Sequence, residues 1–212
     1  MGNQTASRKC YGQFCPLSTA LDVVGDRWTP LLLRELLGGP ARFSQLEEGL
    51  PGIAKNLLAA RLRQLEADDI VRRTSGNGVA HYALTPTGEA IRPALEELAF
   101  WGSRVARVGP AKHKRSVRAI AMALSAILAR AGEALPDEDA TIELLVDDEP
   151  IDITLGPRPT AIARTSSSPQ ATVRASAATM ADYLAGKLHR KRFEFAAGDR
   201  GLRMSLLAAL GG

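Results

Sequence analysis

An α+β fold in two parts is predicted for this 212-residue chain: helices closing on a β-hairpin, then a mixed half of helices and short strands. Three observations predict it. Apolar residues recur at helical spacing through most of residues 16–67, and an Asn-Gly pair sits between two strand-like runs near residue 77. Beyond residue 117 one apolar helix leads into short β-rich runs separated by turn residues. With 45% apolar and 24% charged residues, the chain has material for two small cores.

The first helix follows Pro16, with Leu17, Leu21 and Val24 on one face. A second opens near Asp26 and runs to Leu37, where Gly38-Gly39-Pro40 ends it; Pro30 is tolerated because it lies in the first turn. Ser44-Gln45-Leu46-Glu47 matches a capping box, so a short third helix is expected to start from Ser44 and stop at Gly49. Ile53 to Ala67 buries Leu58, Leu62 and Leu65 and turns Lys55, Asn56, Arg61 and Arg63 outward. Two helices joined by a tight glycine-containing turn, the second basic outside, is the helix-turn-helix plan. Ile70–Thr74 and Val79–Leu84 then flank Gly76-Asn77-Gly78, and both residues of an Asn-Gly turn tolerate positive φ, so a hairpin is predicted in the position of a wing.

Thr85-Pro86 should cap a long helix reaching about Arg107. Its apolar positions Ile91, Leu95, Leu98, Gly102 and Val105 alternate at spacings of four and three, which suits either a partner helix in a dimer or packing inside one chain. Trp101 beside them would anchor a dimer. Gly109-Pro110 and Lys112-His113-Lys114-Arg115 have the composition of a linker. After it come an apolar helix over Val117–Ala131 and strands Thr141–Val146, Ile151–Leu155 and Thr160–Ala163, with Asp147–Pro150 and Gly156–Pro159 as turns. A fourth strand over Ala171–Arg174, a helix over Ala177–Leu188, a strand over Arg192–Ala196 and a helix over Leu202–Leu210 complete the expectation.

Charge divides along the same boundary. Residues 1–116 carry 16 Lys and Arg against 11 Asp and Glu, net +5, whereas 117–212 carry 11 against 12, net −1. A polyanion should therefore bind the first half, although +5 also suits a merely solvated basic face. No run reaches the roughly 18 apolar residues of a membrane span, so a cytoplasmic protein without membrane contact is expected. Cys10 and Cys15 are the only cysteines, and His81, His113 and His189 share no metal spacing with them, so neither a disulfide framework nor a metal or other cofactor is expected. Nor does any nucleophile pair with a base in a catalytic pattern; an enzyme is not expected.

The fragments Cys15-Pro16, Leu21–Trp28, Leu33–Leu36, Arg42–Leu46, Leu50–Ile53, Arg61–Glu66 and Tyr82–Thr85 with Gly88 resemble, in order and spacing, the HxlR family of winged helix-turn-helix regulators. The resemblance covers residues 15 to about 103. It implies a dimeric DNA-binding regulator whose recognition helix exposes Lys55, Asn56, Ala60, Arg61 and Arg63. Departures from the family pattern are Ala54 in place of a capping serine, Asp69 in place of a glycine before the wing, a short wing without Pro-Pro, and Ala59-Ala60 where polar residues are common. The alanines shift the expected readout toward the N-terminal end of the helix. More faintly, the second half resembles the sterol-carrier-protein-like domain, through the strands around Asp148-Glu149-Pro150, Ala171–Arg174, Leu184–Leu188 and Ala197–Asp199. That family encloses an apolar tunnel, which implies an effector domain for a small apolar ligand.

The expected division is a tail (1–14), a winged helix-turn-helix with dimerisation helix (15–108), a linker (109–116) and a sterol-carrier-like domain (117–212). On the DNA side, Arg61 or Arg63 can take a guanine edge, Asn56 an adenine, and Lys55 a phosphate. Arg42, Ser44, Arg72, Arg73 and Asn77 are expected at phosphates or the minor groove. A two-fold dimer should bind an inverted repeat as a repressor. Leu124, Leu128, Leu144, Ile153, Met180 and Leu184 either line a pocket or form a core. Cys15 stands where some relatives sense oxidants, and is otherwise an incidental thiol. A lipid carrier with a winged helix that binds protein is the remaining alternative.

Overall fold

A computed structural model describes residues 10–76, 78–105, 116–132, 135–164, 168–184 and 193–211. In the first half, α1 (Pro16–Val24), α2 (Thr29–Leu37), α3 (Phe43–Gly49) and α4 (Lys55–Ala67) precede a hairpin of β1 (Val71–Gly76) and β2 (Val79–Leu84). The expected long helix is two: α5 (Pro86–Glu89) and α6 (Arg92–Val105). Pro93, in the first turn of α6, explains the break, because its ring and missing N–H forbid continuation from the turn before it. Thr85 caps α5 as expected, its hydroxyl accepting the Gly88 N–H at 3.1 Å.

The capping box of α3 lies two residues earlier than expected. The chain pairs with β2 at Ala41, whose N–H and C=O both bond Tyr82. Only Arg42 separates that bridge from the helix, so Gln45, not Glu47, reaches back to the N-cap amide, at 2.9 Å. Ser44 is an exposed residue inside the helix, not its cap.

In the second half, α7 (Val117–Leu128), β3 (Ala140–Val146), β4 (Glu149–Leu155), β5 (Thr160–Ile162), β6 (Ala171–Ala175), α8 (Ala177–Leu184), β7 (Glu194–Gly198) and α9 (Arg200–Gly211) follow. The sheet order is β5-β4-β3-β6-β7, with β3 and β6 parallel and the other neighbours antiparallel. Glu149 and Pro150, expected in a turn, belong to β4: Val146 pairs with Glu149. The turn is Asp147-Asp148 alone, both at positive φ.

Two cores form. Leu32, Leu33, Leu36 and Leu37 of α2 meet Leu46, Leu58, Leu62, Leu65 and Leu95 in the first. Ile142, Leu144, Ile151, Ile153 and Val173 of the sheet meet Ile120, Leu124, Leu128, Met180, Leu206 and Leu210 in the second. α7 serves both, because Met122 on its other side enters the first core. Of the expected linker, 109–116, residues 109–115 lie outside the described residues, and its last residue, Ser116, hydrogen-bonds Glu35 of α2.

Candidate nucleic-acid interface

Helix α4 has one wholly buried edge and one wholly exposed one. Leu58, Leu62 and Leu65 are at most 2% exposed. Asn56, Ala60 and Arg63, spaced by four and three, are exposed together on another face, with Lys55 beside them. At 1.5 Å rise per residue this row spans about 10 Å, or roughly three base-pair steps. Ala54, the N-cap, makes no side-chain cap bond; in the first turn of α4 the Leu57 N–H donates instead to Asn56 Oδ1 at 2.9 Å.

The structure divides the expected DNA-contacting cations into two groups. Arg61 is half-buried, its Nε 3.5 Å from Asp26 Oδ2. Asp26 also accepts the N–H groups of Trp28 and Thr29 at the start of α2, so Arg61 ties α4 to α2 and is not on the exposed row. Among the described residues Lys55 meets Glu47, at 3.4 Å and with Lys55 76% exposed. Such a surface pair is worth at most about 1 kcal/mol, so a phosphate can displace it.

The hairpin register sets Thr74 opposite His81 and Gly76 opposite Val79. Gly78 has φ +75°, and Asn77 lies outside the described residues. Arg72 and Arg73 are exposed on β1. By alternation Arg72, Thr74 and His81 share one face of the hairpin. Arg42 joins them: its Nε donates to His81 Nε2 at 3.3 Å, while His81 Nδ1 lies 3.2 Å from the Val79 carbonyl. His81 therefore holds Arg42 beside the wing. In the sequence His81 stands out only as a histidine without metal spacing, yet the register counted outward from Asn-Gly puts it opposite Thr74.

The remaining expected sites are distributed differently. Of the dimer-seam residues, Leu95 is buried in the chain's own first core and Ile91 packs against it, whereas Leu98 and Trp101 are 56% and 62% exposed. Val105 ends α6, and its side chain is outside the described set. Leu124, Leu128, Leu144, Ile153 and Met180 are all 0% exposed within the second core; Leu184 ends α8, its side chain also undescribed. Surfaces with no access to a water-sized sphere border no water-sized cavity. Cys15 is the exposed N-cap of α1, and hydrogen bonding from the backbone of Ser18, then of Leu17, lowers its thiol pKa below the ordinary value. Among the described residues no cluster of His, Cys, Asp or Glu is suited to a metal ion, and no helix is long and apolar enough to cross a membrane.

Residues 23–109 match the HxlR-like helix-turn-helix family. The chain is 37% identical over 91 residues to an uncharacterized HTH-type transcriptional regulator, YkvN, of Bacillus subtilis, spanning 42% of this chain and 77% of that one. To the HTH-type transcriptional regulator YodB of the same organism it is 32% identical over 99 residues, spanning 45% and 88%. Among solved structures, the quinone-bound YodB aligns at 35% identity with a TM-score of 0.39, covering 42% of this chain and 98% of that one. The redox regulator HypR in its oxidized form aligns at 32% identity with a TM-score of 0.42, covering 44% and 100%. The ordered match along residues 23–109 and the coverage of more than two thirds of YkvN and YodB lead to one conclusion: the chain belongs to the HxlR-like helix-turn-helix family of transcriptional regulators.

Proposed function

We propose that the protein is a dimeric repressor that binds an inverted-repeat operator in the cytoplasm, at the nucleoid, reading bases with the exposed row of α4. The observation that carries this is the row itself: Asn56, Ala60 and Arg63 open to solvent on a helix whose opposite edge is locked by Leu58, Leu62 and Leu65. Asn56 suits adenine, the Ala60 methyl a thymine methyl, and Arg63 a guanine edge. Lys55, Ser44, Arg42, Arg72, Arg73 and Asn77 take backbone or minor-groove contacts around it. Arg61 supports the row from within by fixing α4 on α2.

Footprinting on the upstream promoter tests this. Arg63→Ala should cost about 1–3 kcal/mol and relax specificity at one position, whereas Lys55→Ala should weaken binding uniformly and reduce the salt slope by about 1. Unchanged affinity in both variants across salt sinks the assignment of α4. Salt-sensitive promoter binding also separates a regulator from a lipid carrier.

The same proposal divides the chain into a DNA-binding part, 15–108, and an effector part, 117–212, of sterol-carrier-like type. Because Leu124, Leu128, Leu144, Ile153 and Met180 are sealed, an apolar effector has to open that core to enter. Delipidated protein that takes up no fatty-acid or sterol probe removes the effector. A second reading, thiol-based sensing, is favoured by one observation: Cys15 is exposed at a helix N-terminus with a lowered pKa. Mass spectrometry after mild peroxide should find an adduct at Cys15 together with DNA release; no adduct ends this reading.

A further inference from the structure

The family match ends at residue 109, and what the rest of the chain does to the DNA-binding half is written in the contacts around the end of α2. We propose that Arg118, in the first turn of α7, is a positioning residue for DNA binding: its guanidinium latches carbonyls in the last turn of α2 and just after it and so fixes where the wing and the α3–α4 turn stand.

The last carbonyls of a helix have no partner within it. Of the six carbonyls from Glu35 to Pro40, the second half takes four, while that of Leu36 accepts from the Gly39 N–H and that of Leu37 from Arg92. Arg118 Nη1 donates to the Glu35 carbonyl at 3.0 Å and also to that of Gly39; its Nη2 donates to the Pro40 carbonyl at 2.8 Å. The Ala163 N–H takes the Gly38 carbonyl at 3.1 Å. The guanidinium spreads its donors over Nη1 and Nη2 in one fixed plane, a spacing that a lysine ammonium, with its three donors on a single nitrogen, does not reproduce. Gly38 permits the approach, since a Cβ there would stand 2.8 Å from the Arg118 Cβ.

Two short routes lead from this latch to the DNA-facing elements. Along the chain, Pro40 is followed by Ala41, bound to Tyr82 of the wing strand through bonds of 2.9 and 2.8 Å, and then by Arg42, bound to His81. Through space, the buried Glu35 carboxylate accepts from Ser116 Oγ at 2.7 Å and from Arg34 Nη2 at 2.6 Å. Arg34 in turn donates to the carbonyl of Gly49, where α3 ends and the turn into α4 begins, at 3.3 Å. Gly49 has no side chain because the Glu35 carboxylate fills that space. Wing and reading helix thus hang on one segment, and α7 holds it. By linkage, whatever loosens the latch weakens DNA binding, and bound DNA tightens the latch.

The test uses full-length protein and rests on the proposed function only in its second arm. In the first arm, Arg118→Ala should lower hydrogen-exchange protection of the Ala41 and Tyr82 amides at least tenfold and leave the β3–β4 ladder protected; Arg118→Lys should not rescue it. In the second, affinity for the promoter fragment that wild type protects should fall at least tenfold in both variants. If Arg118→Ala does not fold, Ser116→Ala with Arg118→Lys carries both arms. Unchanged protection at Ala41 and Tyr82, or equal loss across the β3–β4 ladder, overturns the latch. Lost protection with unchanged DNA affinity overturns its positioning role. If wild type itself binds no promoter fragment, the DNA-reading assignment fails while the first arm still decides the latch.

Discussion

Asp69 occupies a backbone position that asks for glycine. Helix α4 ends in a Schellman arrangement, the Ile70 N–H bonding the Leu65 carbonyl at 2.9 Å and the Asp69 N–H that of Glu66 at 3.2 Å, with Asp69 at φ +54°. A left-handed residue costs roughly 1–2 kcal/mol for an ordinary side chain and less for Asp, whose short polar group bonds locally. Asp69→Val should therefore destabilise by about 1–2 kcal/mol, and Asp69→Gly should not, as urea midpoints at constant m would report. The position was legible by comparison with the family pattern; the reason for it needed the dihedral. Arg61 was not legible in the same way. Its place three residues after Leu58 and four before Leu65 sets it nearer the buried edge than Arg63, but only the fold brings Asp26 within its reach. Cys15 yields a second prediction at this scale. With a lowered pKa, more of it is thiolate at any pH below the ordinary thiol value. In a Cys10→Ser background the pH profile of iodoacetamide labelling should shift to lower pH in folded than in urea-unfolded protein; coincident profiles refute it.

Element boundaries were legible where a local signal was unopposed. The pairing of β1 with β2, the leucine edge of α4 and the Thr85 cap all stand as their residues suggest. They failed where a distant contact intervened, as when the Ala41–Tyr82 bridge shifted the start of α3. The α2–α7 and α6–α7 contacts belong to that second kind, and each makes a prediction. Gly38→Ala forces a Cβ against Arg118, so it should lower the melting temperature, with about 1–3 kcal/mol lost to overpacking. Glu96, buried on α6, has its pKa raised by burial, which outweighs Arg92 and Arg130 and is reinforced by Glu97 and Glu89. A folded pKa above the unfolded one means the folded state holds its proton longer. Stability from this group is thus complete below the unfolded value and is lost as pH rises through the folded one. Glu96→Gln should raise the melting temperature at pH 7 relative to wild type, and that gain should shrink as the pH falls through the folded value and be gone below the unfolded one, about 4. A gain independent of pH would assign the effect to packing instead.

At the scale of the whole molecule, the α+β character and the two cores were legible from periodicity, but their docking was not. A basic Gly-Pro stretch suggested a tether, yet Ser116 and Arg118 bond residues about 80 positions earlier, and no local pattern announces such contacts. The same docking revises the dimer seam. The spacing suits either a partner helix or packing inside one chain; in the fold α6 packs against the first core and α7, burying Leu95 and Glu96, and leaves Leu98 and Trp101 exposed. Of the large apolar side chains exposed among the described residues, all but Met204 lie on α6 or on the segment from Tyr11 to Leu21. Asp22 fixes that segment by accepting the Tyr11 N–H at 3.0 Å and the Cys10 thiol at 3.1 Å. A solvent-facing Trp and Leu at i, i+3 are anchors suited to a second copy of the chain. Leu98→Asp with Trp101→Asp should then leave the fold intact, since neither side chain enters a core, while converting a dimer to a monomer in sedimentation at micromolar concentration. The operator gives the independent check. Losing the tether between half-sites removes the effective-concentration gain, so affinity for an inverted repeat should drop on the order of a hundredfold or more. Affinity for a single half-site should stay as it was. Wild-type protein that already sediments as one chain, or a variant that still spans both half-sites, would remove α6 from the dimer.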